Sequence, residues 1–208
     1  WMSLSENYRV RRGVMGRVAG LEAQQIILEP KDDLRYGYLL WADAHTGLLI
    51  KSRMVDERGE TVEQFAFSEV RIGGVVDRAQ VKSRFAAEVG QPGWQMVNAR
   101  GSESRQEESG WAIKAALPGF YQTSVVRRQL GAGAGETLQM VFSDGLAAVS
   151  VFIEPIATGD AQAAPGPLHS GAINLYKRVA GGFLITALGE VPPRTVQRLA
   201  EAVEPARR

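Results

Sequence analysis

The sequence predicts an α+β protein that consists mainly of antiparallel β-strands. Apolar and polar residues alternate with a period of two over much of the chain, for example over residues 17–30 and 34–43. The stretches between these segments are short and rich in Pro, Asp and Gly, which is typical of hairpin turns. We therefore expect antiparallel hairpins and not βαβ units.

The composition of the chain excludes several classes of protein function. The chain has 208 residues, of which 45% are hydrophobic and 23% charged, so it has the composition of a globular protein. A net charge of +1 argues against a nucleic-acid-binding protein that depends on a basic surface excess. The absence of cysteine excludes disulfides, thiolate metal sites and a cysteine nucleophile. No apolar run approaches the roughly 18 residues of a membrane-spanning helix.

The first half of the chain predicts an antiparallel meander. Within residues 34–43, Tyr36, Tyr38 and Leu40 fall on one face, and Trp41 falls on the other. An open sheet with an apolar face needs cover from a partner, a ligand or another part of its domain. The predicted strands are 17–30, 34–43, 47–56 and 61–72, with turns at 30–33, 43–47 and 56–59.

The pattern changes after residue 75. Val81, Phe85 and Val89 recur with a spacing of four, which predicts a short amphipathic helix over residues 76–89. The following stretch, residues 90–110, is rich in Gly, Ser and Glu, so we expect a linker or a long surface loop.

The second half predicts about six strands packed under one helix. Asp144-Gly145 is a strong hairpin signal, and Pro192-Pro193 ends a strand and begins the last helix. We therefore divide the chain into a first domain (1–90), a linker (91–109) and a second domain (110–208). The predicted strands are 111–117, 120–130, 137–143, 146–154, 172–179 and 183–191, and the helix is 194–203.

No motif in the chain predicts an enzyme, a metal site or a cofactor. We place His45 and His169 in surface loops, and neither has a second histidine at metal-ligand spacing. Glu57, Glu60 and Glu63 flank an Arg-Gly turn, which is typical of a solvated hairpin end and not of paired catalytic carboxylates.

Two features are candidate binding elements. Arg127 and Arg128 end a strand directly before a glycine-rich loop, residues 131–135. They are either solvated charges or a docking point for the carboxylates of a partner peptide, since guanidinium groups bind carboxylates bidentately. A second cluster, rich in aromatic and aliphatic side chains, is either core or the lining of a pocket for acyl chains. Its candidate pocket residues are Tyr36, Tyr38, Leu40, Trp41 and Leu49.

Several blocks of the sequence resemble the RseB/MucB family, in the same order along the chain. Residues 17–67 are similar to the later part of that family's large domain. The second half carries WAIKAALPGF (111–120), VVRRQL (125–130), FSDGLAAVSVFIE (142–154), GAINLYKR (171–178) and GEVPPRTVQRLAEAV (189–203).

The resemblance implies a fold and a function. The fold is the C-terminal part of a curved sheet like that of LolA and LolB, followed by a smaller antiparallel β domain with a C-terminal helix. The function is that of a periplasmic regulator, not an enzyme. It binds the periplasmic domain of an RseA/MucA-like anti-sigma factor and shields it from the site-1 protease. Lipid or lipopolysaccharide fragments release the complex, and family members self-associate.

The family block around the arginine pair implies that the partner-binding residues are Arg127, Arg128, Gln129, Leu130 and Glu136. The family's large domain begins well before anything that matches Trp1, and the chain starts without a signal peptide. We therefore expect a fragment with an incomplete lipid pocket. Two alternatives stay open, a LolA/LolB-like lipid or lipoprotein carrier and a structural envelope module. A complete second domain favours the regulator.

Overall fold

A computed structural model describes residues 4–79, 81, 102–103, 109–129, 136–156 and 165–206. It contains two short helices and fourteen strands in this described part of the chain. In order these are α1 (Leu4–Asn7), β1 (Tyr8–Val18), β2 (Leu21–Pro30), β3 (Gly37–Asp43), β4 (Leu49–Val55), β5 (Thr61–Ala66), β6 (Ser102–Glu103), β7 (Trp111–Ile113), β8 (Tyr121–Gln129), β9 (Glu136–Ser143), β10 (Ala148–Pro155), β11 (Gly166–Ser170), β12 (Ile173–Ala180), β13 (Phe183–Gly189), α2 (Pro193–Ala202) and β14 (Val203–Pro205).

The predicted meander is confirmed as a five-stranded antiparallel sheet in the order β1-β2-β3-β4-β5. The single strand predicted over residues 17–30 is wrong. The chain turns at Ala19 and Gly20, whose φ angles are 49° and 82°, and separates β1 from β2. β1 was not predicted, because most of its residues are exposed and its arginines and glycines leave little apolar alternation.

Strand register gives this sheet two chemically different faces. On the apolar face, Leu28 pairs with Tyr38, and Tyr38 pairs with Met54. On the basic face, Trp41 pairs with Lys51. We call the first set the apolar face (Ile26, Leu28, Tyr38, Leu40, Leu49, Met54 and Phe65) and the second the basic face (Arg9, Arg11, Trp41, Lys51 and Arg53).

The second sheet has seven strands in the order β11-β12-β13-β10-β9-β8-β6. Helix α2 packs on it through its buried side chains, which include Val196 and Leu199, and β14 pairs with β7 beside the helix. The core consists of apolar residues such as Met140, Val151 and Ile185, none of which is exposed. Both predicted hairpins and the final helix are confirmed. His169 lies in edge strand β11 and not in a loop as predicted.

The predicted fold class, mainly antiparallel β with a C-terminal helix, is confirmed. Within the described residues, no helix is long and apolar enough to cross a membrane. The described side chains also contain no group of three or more His, Asp or Glu that could hold a metal ion. The predicted helix over residues 76–89 and the predicted linker lie largely outside the described residues.

Candidate partner-binding edge and interdomain junction

The loop between β2 and β3, residues 31–36, joins the first sheet to the second domain. Leu34 is 2% exposed and belongs to the hydrophobic core of the second domain. The Thr195 hydroxyl, at the start of α2, donates a hydrogen bond of 2.7 Å to the Leu34 carbonyl. The loop is therefore part of the second domain's packing, although its sequence belongs to the first.

Arg35 is the central polar residue of this junction. Its side chain is fully buried and donates from Nη1 to Asp144 Oδ2 at 2.7 Å. The same guanidinium forms a bidentate pair with Asp32 at 2.9 and 3.0 Å and donates to the Pro118 carbonyl at 2.8 Å. It also lies over the Phe120 ring, 4.9 Å from the centroid. Partners from both domains thus accept hydrogen bonds from all three nitrogens of one buried guanidinium.

Both carboxylate oxygens of Asp144 also accept hydrogen bonds. Its Oδ1 accepts the backbone N–H groups of Leu146 and Ala147, which closes the β9–β10 turn, and its Oδ2 accepts Arg35 and the Tyr8 hydroxyl. Burial and then the charge of Asp144 raise the pKa of Tyr8 well above its ordinary value. The phenol therefore remains a neutral donor to the carboxylate. This one aspartate shapes a hairpin and anchors the first domain to it.

Gly119 is required beside this network. Its φ is +73°, and a Cβ at this position would lie 2.1 Å from Asn7 Oδ1 and 3.0 Å from Arg35 Nη2. The Asn7 side chain in turn donates to the Asp144 carbonyl at 3.4 Å. The glycine therefore permits both the turn after Pro118 and the close approach of the two domains.

Tyr36, one of the predicted pocket residues, lies in the junction and not on the apolar face. Its hydroxyl accepts a 3.0 Å hydrogen bond from Asn174 Nδ2, and burial raises its pKa. It lines a cavity of about 450 Å³ between the two domains. At the rim of this cavity Arg194 forms ion pairs with Asp33 and Glu57, so α2 is also tied to the first sheet.

The other predicted pocket residues divide between the two faces. Tyr38, Leu40 and Leu49 share the apolar face, where Leu49 is 47% exposed. Phe65, at 62% exposure, extends this surface on β5. Trp41 lies on the basic face, with Lys51 Nζ 4.5 Å from its ring centroid. The five residues therefore do not form one pocket, because alternate residues of a strand point to opposite sides.

The predicted partner-binding residues lie at the end of β8 and the start of β9. Arg127 Nη1 pairs with Glu136 Oε2 at 2.9 Å, and Arg127 Nη2 donates to the Ser109 carbonyl at 3.0 Å. These residues are thus brought together, but Glu136 already neutralises one of the two arginines. Gln129 is the last residue of β8, and Leu130 lies outside the described residues.

Arg128 differs from its neighbour. It points to the other side of the sheet, since alternate side chains of a strand do so. Its Nε is buried and has no hydrogen-bond partner among the described residues. Arg128 is thus half-buried, and one of its donors has no hydrogen-bond partner in the described part of the chain.

The described residues place a strand beside only part of the outer edge of β8. On one side it pairs along its length with β9. On the other side β6 pairs only with Val126 and Arg127. Within the described part of the chain, residues 121–125 have no strand partner on that side. We call this segment the open edge of β8, in the sense that no strand of the described part of the chain pairs with it, and an extended peptide can add to an edge of this kind.

Sequence models of the MucB/RseB N-terminal domain and of the MucB/RseB C-terminal domain match residues 2–85 and 105–204. The chain is 32% identical over 208 residues to the sigma factor AlgU regulatory protein MucB of Pseudomonas aeruginosa. It is 29% identical over 208 residues to the sigma-E factor regulatory protein RseB of Haemophilus influenzae. These alignments cover 97% of this chain and 62% and 61% of the two relatives.

Among solved structures, the complex of Pseudomonas aeruginosa MucA and MucB contains a similar fold. It superposes with a TM-score of 0.80 at 28% identity, and covers 99% of this chain and 67% of that chain. The chain therefore spans about three fifths of the length of its curated relatives. The relatives are regulatory proteins, as the sequence blocks predicted.

Proposed function

The chain belongs to the MucB/RseB family, and on that premise we propose that it binds the periplasmic segment of a MucA-like anti-sigma factor. The binding shields that segment from the protease that begins the envelope-stress response. The complex of MucA with MucB in a structural neighbour supports this proposal. The function is regulatory and periplasmic, and it requires no catalysis by this chain.

The open edge of β8 is the observation on which we base the binding site. An extended peptide that pairs with residues 121–125 would satisfy backbone groups that have no strand partner in the described residues. Arg128 follows at the end of the same strand and would pair with a carboxylate of the peptide. Gln129 at the end of β8 and Glu136 at the start of β9 would border the bound segment, and Leu130 is the further predicted contact.

The proposal has a direct test by titration calorimetry. This chain is titrated with the periplasmic peptide of the anti-sigma factor, at low and moderate salt. We expect saturable binding, and we expect Arg127→Glu/Arg128→Glu to weaken it by about tenfold or more, since like charges replace complementary ones. Lys177→Glu/Arg198→Glu, which reverses two charges elsewhere on the second domain, is the matched control and retains affinity.

Two results contradict the proposal in different ways. Unchanged affinity in the arginine double variant removes the end of β8 from the site. No binding of the peptide by the unmodified chain, together with binding of lipid, supports instead a carrier of lipids or lipoproteins.

We also propose that the apolar face receives the lipid or lipopolysaccharide fragment that releases the partner. Leu40 pairs across the sheet with Ile26, and Phe65 on β5 is largely exposed. Acyl chains would bury this surface, and burial of apolar area stabilises a complex by about 25 cal/mol per Å². Tyr38 and Leu49 would contribute to the same surface.

A release experiment tests the lipid site separately. Lipopolysaccharide is added to the preformed complex with the peptide, and bound peptide is followed by fluorescence anisotropy. We expect release from the unmodified chain and little release from Leu40→Glu, with peptide affinity unchanged. The charge-neutral Leu40→Met is the control. Equal release from all three proteins would contradict the assignment of the apolar face.

A further inference from the structure

The basic face of the first sheet carries Arg9 and Arg11 on β1, and Lys51 and Arg53 on β4 beside Trp41. Register places Arg11, Ile27, Leu39, Arg53 and Gln64 in one row across all five strands. Gln25, Trp41, Lys51 and Ala66 form the next row. The surface therefore has basic groups at its sides and apolar side chains between them.

The charges of this face are unevenly compensated. On β1, Arg11 pairs with Glu29 at 2.7 Å, and Arg9 lies 3.8 Å from the same carboxylate. On β4, Lys51 and Arg53 form no ion pair with any described residue. Instead Lys51 lies over Trp41, and Arg53 donates to Gln64 and lies 5.7 Å from the Trp41 centroid. The Trp41 end of the face is thus a cationic surface without an internal counter-ion.

We propose that the basic face docks on an anionic phospholipid surface, with Trp41, Lys51 and Arg53 at the centre of the contact. Tryptophan is enriched where a protein meets the lipid–water interface, because its ring is apolar and its N–H is polar. Each Lys or Arg near an anionic bilayer adds attraction, and a cation beside the indole keeps its charged group at the headgroup level.

The spacing of the cations favours a membrane over an acidic peptide. The cations of β1 and β4 are separated by three strand steps, about 14 Å, with Ile27 and Leu39 between them. One extended peptide lying along a strand would not reach both sets, whereas a plane of headgroups meets all of them. The whole chain carries only +1, so attraction must come from the placement of charge and not from its total.

This surface is independent of the partner and lipid sites proposed above. The apolar face is on the opposite side of the same sheet, and the open edge of β8 belongs to the other sheet. Docking through the basic face would leave both available. The inference therefore adds an attachment surface to the protein and does not depend on the proposed function.

Co-sedimentation with vesicles tests it. This chain is mixed with vesicles of phosphatidylcholine alone, and with vesicles that also contain phosphatidylglycerol. We expect binding only to the anionic vesicles, and a steep loss of binding between low salt and about 0.15 M salt. Lys51→Glu/Arg53→Glu should weaken binding by at least about tenfold. Lys177→Glu/Arg198→Glu changes the net charge equally and should bind as the unmodified chain does.

A second measurement tests which face of the bound chain meets the lipid. Brominated lipids should quench the fluorescence of the bound chain, and Trp41→Phe should remove most of that quenching while the protein still sediments. Equal binding to neutral vesicles, or equal loss in both double variants, would overturn the proposal. So would binding of polyglutamate without binding of anionic vesicles, which would assign the face to an acidic polypeptide. If a variant fails to fold, the dependence of vesicle binding by the unmodified chain on salt and on anionic lipid still tests the proposal.

Discussion

Two arginine sites of this protein have opposite environments. Arg35, at the junction, is fully buried and held by two carboxylates and a backbone carbonyl. Arg127 and Arg128, at the end of β8, are partly exposed. Arg127 shares an ion pair with Glu136, and Arg128 has a buried Nε without a partner in the described residues. The same side chain serves as a structural joint in one place and as a candidate ligand contact in the other.

The difference shows which arginine can bind something else. A buried cation whose nitrogens are all engaged by fixed partners is not available to a ligand, and removal of either member of its ion pair leaves the other charge buried and unpaired. A partly exposed cation at a strand end loses little when it changes partner. The comparison therefore predicts large stability effects at the junction and large binding effects at the edge.

The largest effect on stability is expected from Asp144→Ala. This change leaves Arg35 buried without its 2.7 Å partner and removes the oxygen that accepts two backbone N–H groups of the β9–β10 turn. We expect a loss of about 3–5 kcal/mol in the free energy of unfolding. Urea denaturation measures it. Glu136→Ala, which removes an exposed carboxylate, is the control, and a similar loss in both variants would break the comparison.

Gly119→Ala should have the next largest effect. The positive φ disfavours alanine, and the new Cβ would displace Asn7 from its bond to the Asp144 carbonyl. We expect destabilisation of about 1–3 kcal/mol. Gly47→Ala has a similar φ of +75° but open space around it, so the difference between the two variants measures the crowding at the junction. Equal losses of stability in the two variants would mean that crowding between the domains adds nothing to the effect of the positive φ.

Tyr36→Phe tests a single hydrogen bond of the junction. It removes the acceptor of the 3.0 Å bond from Asn174, although Asn174 keeps its bond to the Val191 carbonyl. We expect a loss of about 1 kcal/mol in thermal or chemical denaturation. Tyr121→Phe, at an exposed position, should be neutral. A neutral Tyr36→Phe would show that this contact contributes nothing to holding the domains together.

The smallest effect on stability is expected from Glu136→Gln at the edge. Its ion pair with Arg127 is exposed, and such pairs contribute about 0–1 kcal/mol. The variant also tests binding, because it removes a negative charge that would repel a carboxylate of the partner at this edge. We expect the anti-sigma peptide to bind a few-fold more tightly in calorimetry. Weaker binding would mean that Glu136 itself contacts the peptide.

The sequence was sufficient to predict most strands and turns, because local chemistry determines them. Asp43-to-Gly47 and Asp56-to-Gly59 form the expected turns, with aspartate side chains accepting backbone N–H groups. Asp144-Gly145 likewise turns a hairpin. What its local sequence could not reveal is that Asp144 also meets Arg35, 109 positions away, since nothing in either segment encodes that contact.

The candidate sites show the same limit. Alternation correctly placed Tyr38 and Leu40 on one face and Trp41 on the other. It could not show that Tyr36 turns into the junction, because that position precedes β3 and its partner Asn174 belongs to the other domain. The one local signal for the joint is the DDLR stretch of residues 32–35, where an arginine and a leucine follow two aspartates. By itself this pattern predicts only a turn.

Hydrogen–deuterium exchange of this chain, with and without the anti-sigma peptide, tests the central claim most directly. We expect the peptide to slow exchange along the open edge of β8, at those backbone amides of residues 121–125 that point away from β9, because strand addition pairs them. Amides of the junction should exchange slowly in both states. Slowed exchange confined to other strands, with the β8 amides unchanged, would contradict the assignment of the partner to this edge.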